Sequence, residues 1–486
     1  MRKLGIGLAA LALLAGAPAA QGEVLQGSLE LRWGDPIAPG ADDGLAPRFE
    51  AYLVLDDGVR VELDADQARR GAGDLYALAR RRVAIEFSRP AAARGQRVIE
   101  AIVPADRIGA PQARHPVAGA ADAAPLAVLG ATPWITIACK FNDIIAEQKP
   151  VTFFRAQYGD AVGQLGHYWR EVSYDRINLQ GSDAKGWYQL PHPRSHYVTR
   201  NASDGEDKAD LDALFDDCTA AADADVDFRD VVGVNMMFNG DLDGFAWGGG
   251  RCSRLDGVQR CWSTTWNPPW AFENVAPLAH EMGHGYGLPH SDNSDGDSDP
   301  YDNPWDVMSS AWHNAVHDPT YGTRPKHINI YQRERLGWVD PARRRVVEAG
   351  APPVRVHVDY ASLRGAANVQ MLVLEAPQAP DPYRGTIYTV EARRPAGDYE
   401  GRLAGDAVII HSVGSDYRAM ARSQDADVPP ADLSNNEGSM FKVGETWFSP
   451  DGRFSVHVEE RTATGFIVLA GTPVRTGGNQ GPSVVR

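Results

Sequence analysis

Residues 276–310 read APLAHEMGHGYGLPHSDNSDGDSDPYDNPWDVMSS, and the rest of the chain is read outward from them. His280 and His284 are four apart, so on a helix they leave one face about a turn apart, the separation at which two imidazoles grip one tetrahedral Zn2+. Glu281 lies beside that pair, within reach of a water on the metal. Gly287 can take a positive φ and end the helix sharply, so the helix is expected over about 274–286. The turn brings His290 back as a third ligand, because a straight helix would carry it about 9 Å away. Three protein ligands leave a fourth position open, as in catalytic rather than structural zinc sites.

The complete spacing His280-Glu281-x-x-His284-x-x-Gly287-x-x-His290, followed by Met308 in WDVMSS, resembles the metzincin zinc peptidases. The resemblance implies that Met308 is a Met-turn methionine, an apolar base beneath the metal rather than a ligand. HYWREVSYDRINLQG at 167–181, GWYQLPHPRSHYV at 186–198, NPWDVMSSAW at 303–312 and KHINIYQRERLGWVDP at 326–341 look like secreted bacterial peptidases of the immune inhibitor A type and their gametolysin-like relatives. The implied activity is a zinc-dependent metalloendopeptidase cutting protein or peptide substrates, with Glu281 as general base. His290 departs from many immune inhibitor A-type sequences, which carry Asp there. Ser310, two after Met308, stands where other metzincin branches often have Tyr, so the resemblance names no side chain for the oxyanion.

The acidic run after His290 would repel itself unless solvated or bridged by a cation. With Gly296 aligned on the loop glycine of a calcium hand, Asn293, Asp295, Asp297, Asp299 and Asp302 fall at oxygen-ligand spacing, although Ser291 stands where Asp is expected. Calcium and a plain solvated loop both remain open at this point. Cys252 and Cys261 bracket a turn signal at Leu255-Asp256-Gly257 and are expected to staple a hairpin, which leaves Cys139 to pair with Cys218. Disulfides suit export, and residues 1–19 read as a secretory signal peptide, with Arg2 and Lys3 before an apolar run and a small-residue cleavage site.

The organisation expected is an α+β, metzincin-like catalytic domain at 133–341, flanked by a β-rich N-terminal domain at 20–108 and a C-terminal β-sandwich-like domain at 342–471. An Ala/Pro-rich linker at 109–132 and a flexible tail at 472–486 complete the chain. The N-terminal domain is either a pro-domain removed by a cut in that linker or an accessory domain; with no Cys before Cys139, latency through a cysteine on the metal is excluded. Within the catalytic region one helix is expected over about 151–172 and a second over about 207–222, and CWSTTW at 261–266 is the candidate edge strand for an extended substrate. The 486 residues carry 48 Lys plus Arg against 64 Asp plus Glu, a net charge of −16, which offers no basic stripe to nucleic acid. No segment after the leader is apolar enough for a membrane anchor, and a secreted monomer is expected. Two rival readings are a secreted binding or adhesion protein with a vestigial metal site and a zinc hydrolase of non-peptide amides; Glu281 weighs against the first, since a binding module needs no general base.

Overall fold

The computed structural model describes residues 23–37, 46–88, 98–107, 127–202, 205–297, 299–376, 386–414, 420–427 and 436–473. The leader, residues 109–126 of the expected linker and the tail from 474 lie outside them. The chain mixes helix and strand, with strand prevailing.

A ten-stranded sheet runs through the first half of the chain. Its strands are β1 (Glu23–Pro36), β2 (Arg48–Val54), β3 (Arg60–Leu63), β4 (Arg82–Phe87), β5 (Ile99–Pro104), β6 (Trp134–Lys140), β7 (Asp183–Gln189), β8 (Gly233–Phe238), β9 (Phe245–Leu255) and β10 (Val258–Asn267). The main order is β3-β2-β1-β9-β10-β8-β6-β7, with β4 and β5 branching from β1 and the helix α1 (Ala65–Ala72) packing on β5. β7, β6, β8 and β10 are mutually parallel, and their inner members read as apolar runs such as WITIACK because both faces are covered. β9 folds back antiparallel to β10, and β1 lies antiparallel to β9. The N-terminal strands are therefore not a separate sheet beside the rest. They continue it, and β1 is the seam.

CWSTTW lies in β10, which is hydrogen-bonded to β8 on one side and β9 on the other, so this segment is interior and the expectation of an edge there is corrected. The expected helix over 151–172 is two helices, α2 (Val151–Gln157) and α3 (Leu165–Val172), divided by the glycine-bearing segment YGDAVGQ, which propagates a helix poorly. The second expected helix starts late, as α4 (Leu211–Ala222), because the Asp210 carboxylate caps it by accepting from the Ala213 N–H. Residues Asp207–Ala209 before that cap form a short strand with Val198–Arg200.

The helix α5 (Val275–Gly285) packs against β9 and β10, and every one of its residues is buried. On that face of the sheet a core of Trp134, Tyr168, Trp169, Leu278, Met282 and Met308 closes over α5. Ile137, Met236 and Trp266 face the other way, onto Leu214 and Phe215 of α4. Two disulfides are present. Cys139–Cys218 ties β6 to α4, and Cys252–Cys261 links directly opposed residues of the β9–β10 hairpin.

A six-stranded sheet, five of whose strands lie beyond Pro341, and a four-stranded sheet share one core that includes Val358, Leu372, Val390, Ile410, Val456 and Phe466. Two sheets closing on a common apolar layer form a sandwich. One edge of the larger sheet is Asp292–Asn293, paired in parallel with Ala421–Ser423, so the acidic loop after His290 is held by the C-terminal unit. No helix among the described residues is long and apolar enough to cross a membrane.

Candidate metal centre

α5 ends as the sequence expects. Gly287 has a φ of 94°, the Leu288 N–H reaches the Gly283 carbonyl at 3.0 Å, and the Gly287 N–H reaches that of His284 at 2.9 Å. These two bonds make a Schellman turn, which reverses the chain and delivers His290 beside the helix. The Ser291 N–H then bonds the Met308 carbonyl at 3.1 Å, fixing the turn to the segment that carries Met308. Met308 is fully buried and lies against Gly283, between the two helical histidines, where a Cβ would collide with its sulfur.

The three imidazoles converge. His284 Nε2 lies 3.1 Å from His280 Nε2 and 3.2 Å from His290 Nε2. His280 Nδ1 is 2.6 Å from the Val307 carbonyl and His284 Nδ1 is 2.7 Å from that of Leu288. A carbonyl only accepts, so both Nδ1 atoms carry a proton, and in its neutral form each ring turns a bare Nε2 lone pair inward. Burial reinforces this by pulling His284 down to about 3. Lone pairs facing one another at these distances repel unless a cation lies between them, and the donor set of three imidazoles suits Zn2+.

A fourth group enters from far along the chain. Asp35, near the end of β1, places Oδ1 2.6 Å from His290 Nε2 and Oδ2 3.4 and 3.3 Å from the Nε2 atoms of His280 and His284. Its Oδ2 is buried without a hydrogen bond. Burial alone would raise this carboxyl, but the charges of His290 and His280 outweigh it and hold Asp35 well below the usual range. The Tyr301 hydroxyl donates to Asp35 Oδ1 at 2.6 Å, and the Trp33 indole stacks on the His284 ring with centroids 4.6 Å apart and planes 5° from parallel. Glu281 is buried on the same side, with Oε2 unpartnered; burial first, and the Asp35 charge second, push its carboxyl well above the ordinary value. A small pocket of about 20 Å³ adjoins it, lined by Pro36, Trp270, Pro277, Ala311 and Trp312 among others.

The structure thus brings His280, Glu281, His284, His290, Gly287 and Met308 into one place. Asp35, Trp33 and Tyr301 went unread in the sequence. RWGDP at 32–36 is an ordinary strand end, and only the pairing of β1 with β9 carries it to the site.

In the acidic loop the Asn293, Asp295, Asp297 and Asp299 side chains each accept from a backbone N–H two residues on, at 2.7–2.9 Å. This winds the loop so that oxygens of Asp295, Asp297 and Asp302 lie within 4.8 Å of one another. Asp302 Oδ2 is buried and receives no hydrogen bond. Burial, then the neighbouring Asp292 charge, push Asp302 up to about 10. Among the described residues a third group, His167, Glu171 and Asp398, is already occupied: His167 bonds the Tyr399 hydroxyl and Glu171 bonds His327.

No protein-family model matches the chain, and no curated protein matches it. Among solved structures, the crystal structure of wild-type OgpA from Akkermansia muciniphila is 13% identical, covering 71% of this chain and 94% of its own, with a TM-score of 0.24, a likeness too low to carry an argument about fold or activity.

Proposed function

We propose that the chain is a secreted, zinc-dependent metalloendopeptidase with a metzincin-type catalytic unit. The observation that carries the reading is the convergence of three imidazole Nε2 atoms beside the buried Glu281 carboxyl, whose Oε2 has no hydrogen-bond partner. Bound there, Zn2+ would be held by His280, His284 and His290 and would polarise a peptide carbonyl while acidifying a water. Glu281 would take a proton from that water through its unpartnered Oε2 and return it to the leaving amine. The Tyr301 hydroxyl, aimed at Asp35 Oδ1, supplies the oxyanion donor that Ser310 does not. The acidic loop is read as a structural Ca2+ site, on the strength of buried, undonated Asp302 Oδ2. Export is supported by the leader-like first residues and by the two disulfides.

Casein hydrolysis by the secreted chain, after a cut between residues 108 and 126, tests this reading. Activity abolished by a chelator and restored by zinc is expected. A zinc-replete, cut chain that leaves casein, unfolded proteins and a broad peptide panel untouched overturns it.

A further inference from the structure

A cavity of about 230 Å³ lies where residues 76–80 meet the end of α5. Among the described residues it is walled by Ala79, Val128, Tyr286, Leu288 and Leu336, with two arginines, Arg80 and Arg335, also facing it. It shares no residue with the pocket beside Glu281. The Tyr286 hydroxyl is engaged elsewhere, by Thr132 and by the Trp134 indole N–H, each at 3.1 Å, so this residue offers the cavity only its ring. Arg335 is engaged too, holding Asp74 through both oxygens at 2.7 and 3.2 Å.

Arg80 is not neutralised in this way. Its φ of 61° lies in the left-handed region that favours glycine, so the backbone carries strain to aim this side chain inward. Gly250 of β9 leaves it room, since a Cβ there would lie 3.1 Å from Arg80 Cγ. The guanidinium donates one N–H to Ser263 Oγ of β10, which itself donates to the Gly285 carbonyl at 2.6 Å. No carboxylate among the described residues pairs with Arg80, and burial pulls its guanidinium down to about 10. A cation held against a cavity without a counter-charge is costly, and an anion in that cavity offsets the cost.

We propose that this cavity binds a small organic carboxylate, with its charge on the Arg80 guanidinium and its apolar body against Val128, Leu288 and Leu336. One unneutralised guanidinium matches a single negative charge, and the N–H groups that Ser263 leaves free form a planar fork suited to two carboxylate oxygens. The apolar walls favour a ligand with a hydrocarbon part over a bare inorganic anion. The volume is below the roughly 300–1,000 Å³ of drug-sized sites, which sets the scale at that of benzoate or hexanoate. The inference is independent of the zinc-peptidase reading, because none of these residues belongs to the metal centre.

The test is isothermal titration calorimetry on the full, uncut chain at fixed ionic strength, with benzoate, hexanoate, the neutral analogue benzyl alcohol, and inorganic phosphate as probes. Wild type is expected to bind one equivalent of benzoate, with hexanoate competing and benzyl alcohol about tenfold weaker or more. Arg80→Met should weaken benzoate by a similar factor, and Ala79→Leu, which keeps the guanidinium and fills the cavity from its wall, should abolish binding. The benzoate and benzyl alcohol pair reads the charge on the wild-type protein, so the outcome does not depend on Arg80→Met folding. Absence of saturable benzoate or hexanoate binding to wild type overturns the proposal. So does binding of phosphate in preference to both carboxylates, since the apolar walls would then play no part. Benzoate affinity unchanged in Ala79→Leu places the ligand elsewhere, the histidines included, and overturns it as well.

Discussion

Replacing Gly283 by Ala sets two effects of known size against each other. On helix propensity alone, Gly to Ala in a helix interior stabilises by about 1 kcal/mol. At Gly283, however, the new Cβ would lie inside contact distance of the Met308 sulfur, 3.1 Å from its terminal methyl and 3.8 Å from a Leu288 methyl, with Met308 fully buried and unable to swing into solvent. Overpacking of this kind costs about 1–3 kcal/mol, so the net change is a loss of about 1 kcal/mol. Met308→Ala alone empties the space beneath the helix and costs about 2–5 kcal/mol. In the double variant the added methyl occupies part of that void, so the losses fall short of additive by about 1 kcal/mol. Urea unfolding of the four zinc-saturated proteins, followed by tryptophan fluorescence, reads the cycle. A Gly283→Ala protein stabilised by about 1 kcal/mol, with losses that simply add, would refute the contact between the helix and Met308.

Two further outcomes follow from buried acids. Burial pushes Glu391 up to about 7 from 4.5, with Arg393 and Arg333 offsetting only part of it. The folded state therefore holds this proton more tightly than the unfolded one; the stabilisation is complete below pH 4.5 and is lost as pH rises through 7, on the order of 3 kcal/mol. Glu391→Gln should be less pH-sensitive than wild type by that amount between pH 4.5 and 8, and parallel stability curves for the two would count against it. For the acidic loop, Ca2+ at a hundred times its dissociation constant should stabilise by about 2.7 kcal/mol, and Asp302→Asn should remove the response. An unchanged calcium response in that variant would place the ion elsewhere.

The parts of the site that local chemistry controls were legible in the sequence. Helical spacing places His280 and His284 on one face, a positive-φ glycine ends the helix, and the turn returns His290; each step depends on neighbours within a few residues. The Cys252–Cys261 staple and the apolar C-terminal strands were legible for the same reason, and Cys139–Cys218 followed by exclusion. What stayed hidden depends on long-range pairing. Asp35 reaches the histidines because β1 takes β9 as its partner, and β10 is interior because β9 folds back on it, and neither choice leaves a periodic mark on the residues concerned. Tyr301 sits in an acidic run where attention falls on the carboxylates, and only its contact with Asp35 singles it out. The broken helix at 158–164 and the late start of α4 are local, and the glycines and Asp210 that cause them were visible.

The most direct measurement of the central claim is mass spectrometry of a defined peptide panel, with acylated amides and glycans included, incubated with the cut, zinc-loaded chain and with its Glu281→Gln counterpart. Internal peptide-bond products from wild type, and none from a Glu281→Gln protein that retains its zinc, are the predicted result. Intact peptides with both proteins, or hydrolysis confined to the non-peptide amides, would contradict it.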